Sequence, residues 1–306
     1  MKLCKTHNSI QKYFQILLVA LSLVFASCEK TTAPGGSNDN IPGSLPERII
    51  LDTAYGLDAK QRMDIYLPAG RNSATRLIIM IHGGGWQAGD KAEFNHYKNL
   101  FRSKWPAAAI ANINYRLASN AGNIHHSEIM SDISKAVNFM VRNKSLFTIS
   151  DTLAMVGESA GAHLAMLYTY AHNTNNYVKC VSDLYGPSKI NDKDWYNSFN
   201  IFMGQSISNL LIQYTGSTWT TATTPLYESV SPVMRVTAQS KPTIIFHGTI
   251  DVIVPLYQSQ SMKSKLDASG VANEYHEYFL DGHGFNPANT ADCATKTIAF
   301  FQKHLK

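Results

Sequence analysis

Four short stretches hold residue types that together could carry out acyl transfer. Gly157-Glu158-Ser159-Ala160-Gly161 follows the apolar run 153–156 and precedes the apolar run 162–170. A serine held between glycines where a strand turns into a helix is lifted clear of the sheet by a strained backbone. Side chains two residues to either side would collide in such a turn, and both positions are glycine. Ser159 is therefore the candidate nucleophile, and it needs a base within hydrogen-bond reach. His82-Gly83-Gly84-Gly85-Trp86 closes a second apolar run, 77–81. Its glycines let backbone N–H groups approach a ligand. Acyl transfer needs such donors, because the attacked carbonyl oxygen becomes an oxyanion. The third stretch is His247-Gly248-Thr249-Ile250-Asp251 and the fourth Asp281-Gly282-His283-Gly284-Phe285, each after a strand-like run. His283 is the candidate base, later the acid for the leaving group. Asp251 is the candidate for orienting it, with Asp183 and Asp281 as rivals.

The remaining polar residues near these stretches read as structural. His82 should hydrogen-bond within its own loop, His163 lies one turn into the helix after Ser159, and His247 ends a strand. His125, His126 and Glu128 lack metal-ligand spacing and read as a helix start. Glu158 reads as a polar side chain bonding neighbouring loops. Trp86 either walls a substrate pocket or pins its loop. The set implies chemistry with neither metal nor cofactor.

The order Ser…Asp…His separates the chain from the other two well-known triad arrangements. With it, the chain resembles the α/β-hydrolases of the acetyl esterase/lipase group, which are hormone-sensitive-lipase-like. It is especially similar to bacterial carboxylesterases and feruloyl or acetyl-xylan esterases with an H-G-G-G-W-x-x-G-D loop. The matching pieces are residues 82–90, Asn114-Tyr115-Arg116-Leu117, residues 157–165, Tyr185-Gly186-Pro187, Ser231-Pro232, residues 247–255 and 282–285. The resemblance implies Asp251 as the triad acid and backbone N–H groups of Gly84, Gly85 and Ala160 as oxyanion donors. It implies a serine esterase of small acyl or aryl esters, acetylated or feruloylated oligosaccharides among them. An arylformamidase shares the loop and triad and is the alternative; a non-catalytic binding module on the same scaffold is the third reading.

The elements needed to hold these residues are legible. Runs 48–52, 62–67, 77–81, 108–114, 153–156, 180–184, 243–247 and 273–279 read as eight strands, the first two as edge strands and the second alternating. Several of the others are continuously apolar, as strands covered on both faces require. Ile129, Ile133, Ala136, Val137 and Met140 recur at helical spacing between them. Strand–helix alternation with motifs at strand C-terminal ends predicts an α/β, doubly wound, mostly parallel sheet. Residues 187–230 interrupt the rhythm as a cap-like insertion with seven aromatics: Trp195, Tyr196, Phe199, Phe202, Tyr214, Trp219 and Tyr227. Most should pack the insertion's own small core, and one or two should reach a substrate.

The catalytic domain spans 47–306. Before it, Lys2, Lys5 and Lys12 precede a short apolar core at 16–26, too short to span a bilayer and fitting a signal segment over 1–27. Ala26-Ser27-Cys28 resembles a lipobox, with Cys28 as the lipidated residue; ordinary cleavage nearby is the alternative. Residues 28–46 read as a Gly/Pro/Ser-containing tether. The expectation is an exported lipoprotein reaching the membrane through its anchor. The net charge is +5, of which the first 27 residues supply three lysines and no acids, leaving +2. That is too small to imply nucleic acid as a partner. Cys180 and Cys293 fall at opposite ends of the predicted sheet and are not expected to pair.

Overall fold

The computed structural model describes residues 44–305. The expected signal segment 1–27, Cys28 and most of the expected tether lie outside the described residues.

Eight strands form one sheet: β1 (Arg48–Ala54), β2 (Arg62–Leu67), β3 (Leu77–Ile81), β4 (Ala109–Ile113), β5 (Leu153–Glu158), β6 (Val178–Leu184), β9 (Thr243–Gly248) and β10 (Asn273–Tyr278). The strands β7 (Ile201–Phe202) and β8 (Gln205–Ser206) make a separate small hairpin. The spatial order is β1-β2-β4-β3-β5-β6-β9-β10. Only β1 with β2 and β2 with β4 run antiparallel. The helices are α1 (Asn95–Lys104), α2 (His126–Arg142), α3 (Lys144–Phe147), α4 (Ala160–Leu167), α5 (Lys193–Tyr196), α6 (Ile207–Thr215), α7 (Thr224–Ser229), α8 (Pro232–Arg235), α9 (Tyr257–Ala268) and α10 (Pro287–His304).

Alternate side chains of each central strand enter cores on opposite faces. Leu77, Ile79 and Ile81 pack with α2, α4 and α9, while Ile78 and Met80 pack with α1 and α10. This explains the unbroken apolar runs, since every position is buried in β3 and β4. The apolar stripe of α2 is buried as its spacing predicts.

One strand differs from expectation. Residues 62–67 read as an alternating edge strand, but β2 lies between β1 and β4 and is buried along nearly its whole length. The edges are β1 and β10. The alternation was set by Asp64, and that position is buried because its polar need is met inside. Its Oδ1 accepts from the Asp52 N–H at 2.8 Å and lies 3.4 Å from Lys91 Nζ.

A buried charge cluster ties the loop after β4 to α2. The Asp132 side chain is fully buried and accepts from Arg116 Nε (2.8 Å), Arg116 Nη2 (2.7 Å), the Arg116 backbone N–H (3.0 Å) and Gln61 Nε2 (2.5 Å). Every lone pair of the carboxylate is engaged, as a buried charge requires.

The insertion folds as α5, the β7–β8 hairpin, α6 and α7. Trp219 stacks on Tyr227 (4.7 Å between centroids), and Tyr196 meets Trp219 edge-on (5.5 Å), so three of the aromatics form a local core. Cys180 and Cys293 are free and buried, in line with the sequence reading.

Asp132→Ala removes the fully buried acceptor of these hydrogen bonds and leaves donors of Gln61 and Arg116 unpaired, which should cost about 2–3 kcal/mol. Urea unfolding measures this; a loss below about 1 kcal/mol would show that the cluster contributes little.

Candidate active site

The end of β5 and the start of α4 meet at Ser159, whose φ of 50° and ψ of −121° lie outside the regions ordinary residues favour. The flanking glycines are demanded by contact. A Cβ on Gly157 would come 2.3 Å from the Gly161 carbonyl carbon, and one on Gly161 would come 2.2 Å from Ile81 O. The turn is thus wedged against the end of β3, from which the 82–90 loop departs.

The loop from β9 and the loop from β10 complete the group. Ser159 Oγ donates to His283 Nε2 (2.8 Å), and His283 Nδ1 donates to Asp251 Oδ2 (2.7 Å). The tautomer follows from the carboxylate, which only accepts. Asp251 Oδ1 accepts from the Ile253 and Val254 N–H groups at 2.8 and 3.0 Å. Burial alone would raise this carboxyl, but hydrogen bonds from His247 and His283 outweigh it and hold the group well below the ordinary range. His247 Nε2 donates to Val254 O (2.8 Å) and lies 3.3 Å from Asp251 Oδ2, while its Nδ1 accepts from Ser259 Oγ (2.7 Å). His247 is structural as read, and it also touches the acid. The i,i+4 spacing of His247 and Asp251 was the signal available for that contact.

The rivals for the acid are occupied elsewhere. Asp183 is fully buried beneath the elbow, accepts from the Gly186 N–H (2.8 Å) and is pushed by burial up to about 7. Asp281 accepts from Asn286 Nδ2 and Asn289 Nδ2, both at 2.8 Å.

The glycine loop lies against the nucleophile. A Cβ on Gly83 would sit 3.3 Å from Ser159 Cβ, and Gly84 has φ of 101° and no room for a side chain, its Cβ position being 2.2 Å from Ala88 O. His82 Nδ1 donates to Gly83 O (2.8 Å), and its ring stacks on Tyr115 (4.5 Å). Burial lowers the His82 imidazole to about 4, so it shapes the loop as a neutral ring.

Trp86 is held on two sides. Its indole Nε1 donates to His163 Nδ1 (3.2 Å) and its ring stacks on Tyr214 (4.7 Å), which pins the loop. His163 passes the constraint on, its Nε2 donating to Val230 O (2.8 Å); burial lowers this imidazole too, to about 4. Trp86 also lines an apolar cavity of about 20 Å³ beside Ser159, shared with Gly85, Ala160, Trp195, Phe202 and Leu211. Trp195 is held there by its Nε1 donating to Ile253 O (2.9 Å). Trp195 and Phe202 are the insertion aromatics that reach the site. Nothing in their spacing distinguished them from the five others. Glu158 bonds a neighbouring loop, accepting from Tyr185 Oη (3.0 Å), and burial raises its carboxyl. The Tyr185 ring in turn meets His283 edge-on at 5.0 Å. His125, His126 and Glu128 are the start of α2, with Glu128 Oε2 accepting from the His125 N–H (3.0 Å).

A mostly parallel sheet of this order, with a serine elbow at β5 and its partners after β9 and β10, defines an α/β-hydrolase. The chain belongs to the BD-FAE family, whose model matches residues 63–266. It is 25% identical over 248 residues to the Esterase LipC of Mycobacterium tuberculosis, covering 76% of this chain and 59% of that protein. It is 27% identical over 233 residues to the isoprenylcysteine alpha-carbonyl methylesterase ICME of Arabidopsis thaliana, covering 72% and 53%. The chain thus spans little more than half the length of these curated relatives. Among solved structures, a truncated carbohydrate esterase from gut microbiota superposes with a TM-score of 0.71 at 21% identity, covering 84% of this chain and 95% of that one.

The depressed Asp251 carboxyl sets a pH dependence. Ionisation favours the folded state fully above the ordinary value of 3.8, and that contribution is lost as pH falls toward the lower folded value. The stability deficit of Asp251→Asn relative to the wild type should therefore be largest near neutral pH and shrink below about pH 4. Urea melts at a series of pH values test this; a deficit constant with pH would mean the carboxylate is not stabilised by its site.

Proposed function

We propose that the protein is a serine carboxylesterase that hydrolyses short-acyl esters, acetyl foremost, through an acyl-enzyme. The observation that carries this reading is the unbroken hydrogen-bond chain from Ser159 through His283 to Asp251, at 2.8 and 2.7 Å. Ser159 Oγ attacks the ester carbonyl while His283 Nε2 takes its proton. Asp251 stabilises the imidazolium that forms. The N–H groups of Gly84, Gly85 and Ala160 stabilise the oxyanion. His283 then protonates the departing alcohol, and water activated by the same imidazole releases the acid.

The acyl size follows from which wall is closed. The cavity of about 20 Å³ is bounded by Gly85 and Ala160 on the oxyanion side, and His283 does not line it. The alcohol must lie beside His283, which protonates it, so the cavity takes the acyl half. Room for about one water matches an acetyl methyl and opposes a feruloyl group. The likeness to a carbohydrate esterase adds acetylated sugars to the alcohols worth testing.

Export and anchoring through Cys28 belong to the same proposal. Their support is the basic start, the short apolar core and Ala26-Ser27-Cys28. Cys28→Ala should yield uncleaved precursor or an unanchored product. Wild-type protein free of membranes, with its first residue elsewhere by mass spectrometry, would refute it.

Ser159→Ala should lower turnover of p-nitrophenyl acetate by roughly 10³-fold or more with the fold intact. His283→Ala should do comparable damage, and the double variant little more, since the two act as one unit. Near-normal rates in a folded Ser159→Ala would remove the nucleophile. Across p-nitrophenyl esters, kcat/KM should be highest at the acetate and fall by about four acyl carbons, as further methylenes find no apolar burial. A steady climb to the palmitate would show a long-chain enzyme instead.

A further inference from the structure

We propose that the alcohol half of the substrate carries its apolar bulk, so that the protein acts on acetates of apolar, aryl-bearing alcohols. This rests on the esterase reading above and names the substrate class of that site. With the acyl cavity so small, selectivity must be exercised on the other side of the scissile bond, over the segments that border His283. Two of these are bound edge to edge. The Ile250 N–H donates to Asp281 O (3.0 Å), the Leu280 N–H to Thr249 Oγ1 (2.9 Å), and the Thr249 N–H to Tyr278 O (3.0 Å).

Together they present a surface that water should not favour. Ile250, Val252, Phe279 and Leu280 are 54, 68, 79 and 62% exposed. The Phe202 ring also lies 5.9 Å from the His283 ring, in a hairpin that exposes Ile201 and Met203. Ile201, Met203, Ile250, Val252, Phe279 and Leu280 are six of the fourteen large apolar side chains exposed among the described residues. Scattered exposed apolar side chains need no explanation, but a patch beside a reactive centre marks a binding surface. The two loop segments also offer a sugar few charged partners. In 249–253 and 279–285 the only ionisable side chains are Asp251, Asp281 and His283. Both aspartates are buried and already hydrogen-bonded within the protein. Sugar hydroxyls placed there would find few partners for the water they lose. A bilayer is the other claimant on an apolar rim. The acyl chain of a membrane lipid, however, would have to enter a cavity of about 20 Å³.

The test uses acetates of primary alcohols with similar leaving-group acidity: ethyl, benzyl and 2-naphthylmethyl acetate, with mono-acetylated methyl xyloside as the polar competitor. The kcat/KM ratio of 2-naphthylmethyl to ethyl acetate should be about tenfold or more, given the apolar area the rim can cover. In the triple variant Ile250→Ser, Phe279→Ser, Leu280→Ser the ratio should fall toward one. These residues are exposed, so a matching urea midpoint should accompany the change. A flat series, a preference for the xyloside ester, or a ratio unmoved by the triple variant would overturn the inference alone. So would turnover that appears only when phosphatidylcholine vesicles are added, which would give the rim to a membrane. Failure on every acetate, p-nitrophenyl acetate included, would overturn the esterase reading and this inference with it.

Discussion

There is no room for a side chain where β3 and β5 end side by side, and the rest of the site depends on that crowding. The two strands are parallel neighbours with Ile81 opposite Gly157. The glycine loop and the serine turn therefore leave the sheet at the same level and in contact. Gly161 fits under the Ile81 and His82 carbonyls only because it has no Cβ. The backbone of the glycine loop and the Ser159 hydroxyl are thereby brought together by backbone packing alone. The φ of 50° at Ser159 is the conformational cost of that packing.

Charge is distributed around this wedge in a consistent way. His82 and His163 are kept neutral by burial and serve as fixed hydrogen-bonding rings. Asp251 is kept ionised by two backbone N–H groups and two imidazoles. His283 alone of these rings bonds both the serine and the acid.

What was legible in the sequence follows from where the constraint lies. Glycines that a backbone contact requires leave a mark at fixed spacing, so the elbow, the 82–90 loop and the strands before them could be read. The carboxylate that His283 meets at 2.7 Å, Asp251, lies in the loop that the resemblance supplied. The place of β2 was misread because alternation reports side-chain polarity, and Asp64 is polar yet satisfied inside. The insertion was legible only as an interruption. Trp195 and Tyr227 are both buried aromatics, and only tertiary contact separates the one beside the cavity from the one packed on Trp219. Trp86 pins its loop through one ring face and its N–H and also lines the cavity, since a large ring has two faces.

The two described thiols draw out a property of the domain as a material. Cys180 and Cys293 are buried, and desolvation pushes both upward, away from the thiolate form. The described fold is therefore held without covalent cross-links, indifferent to the redox state of the compartment in which it forms. Each thiol is silent to alkylating reagents while the core is closed. Labelling at either position becomes a clock that runs only during large opening events. Cys180 on a central strand and Cys293 on the last helix would time the opening of two different parts of the same core.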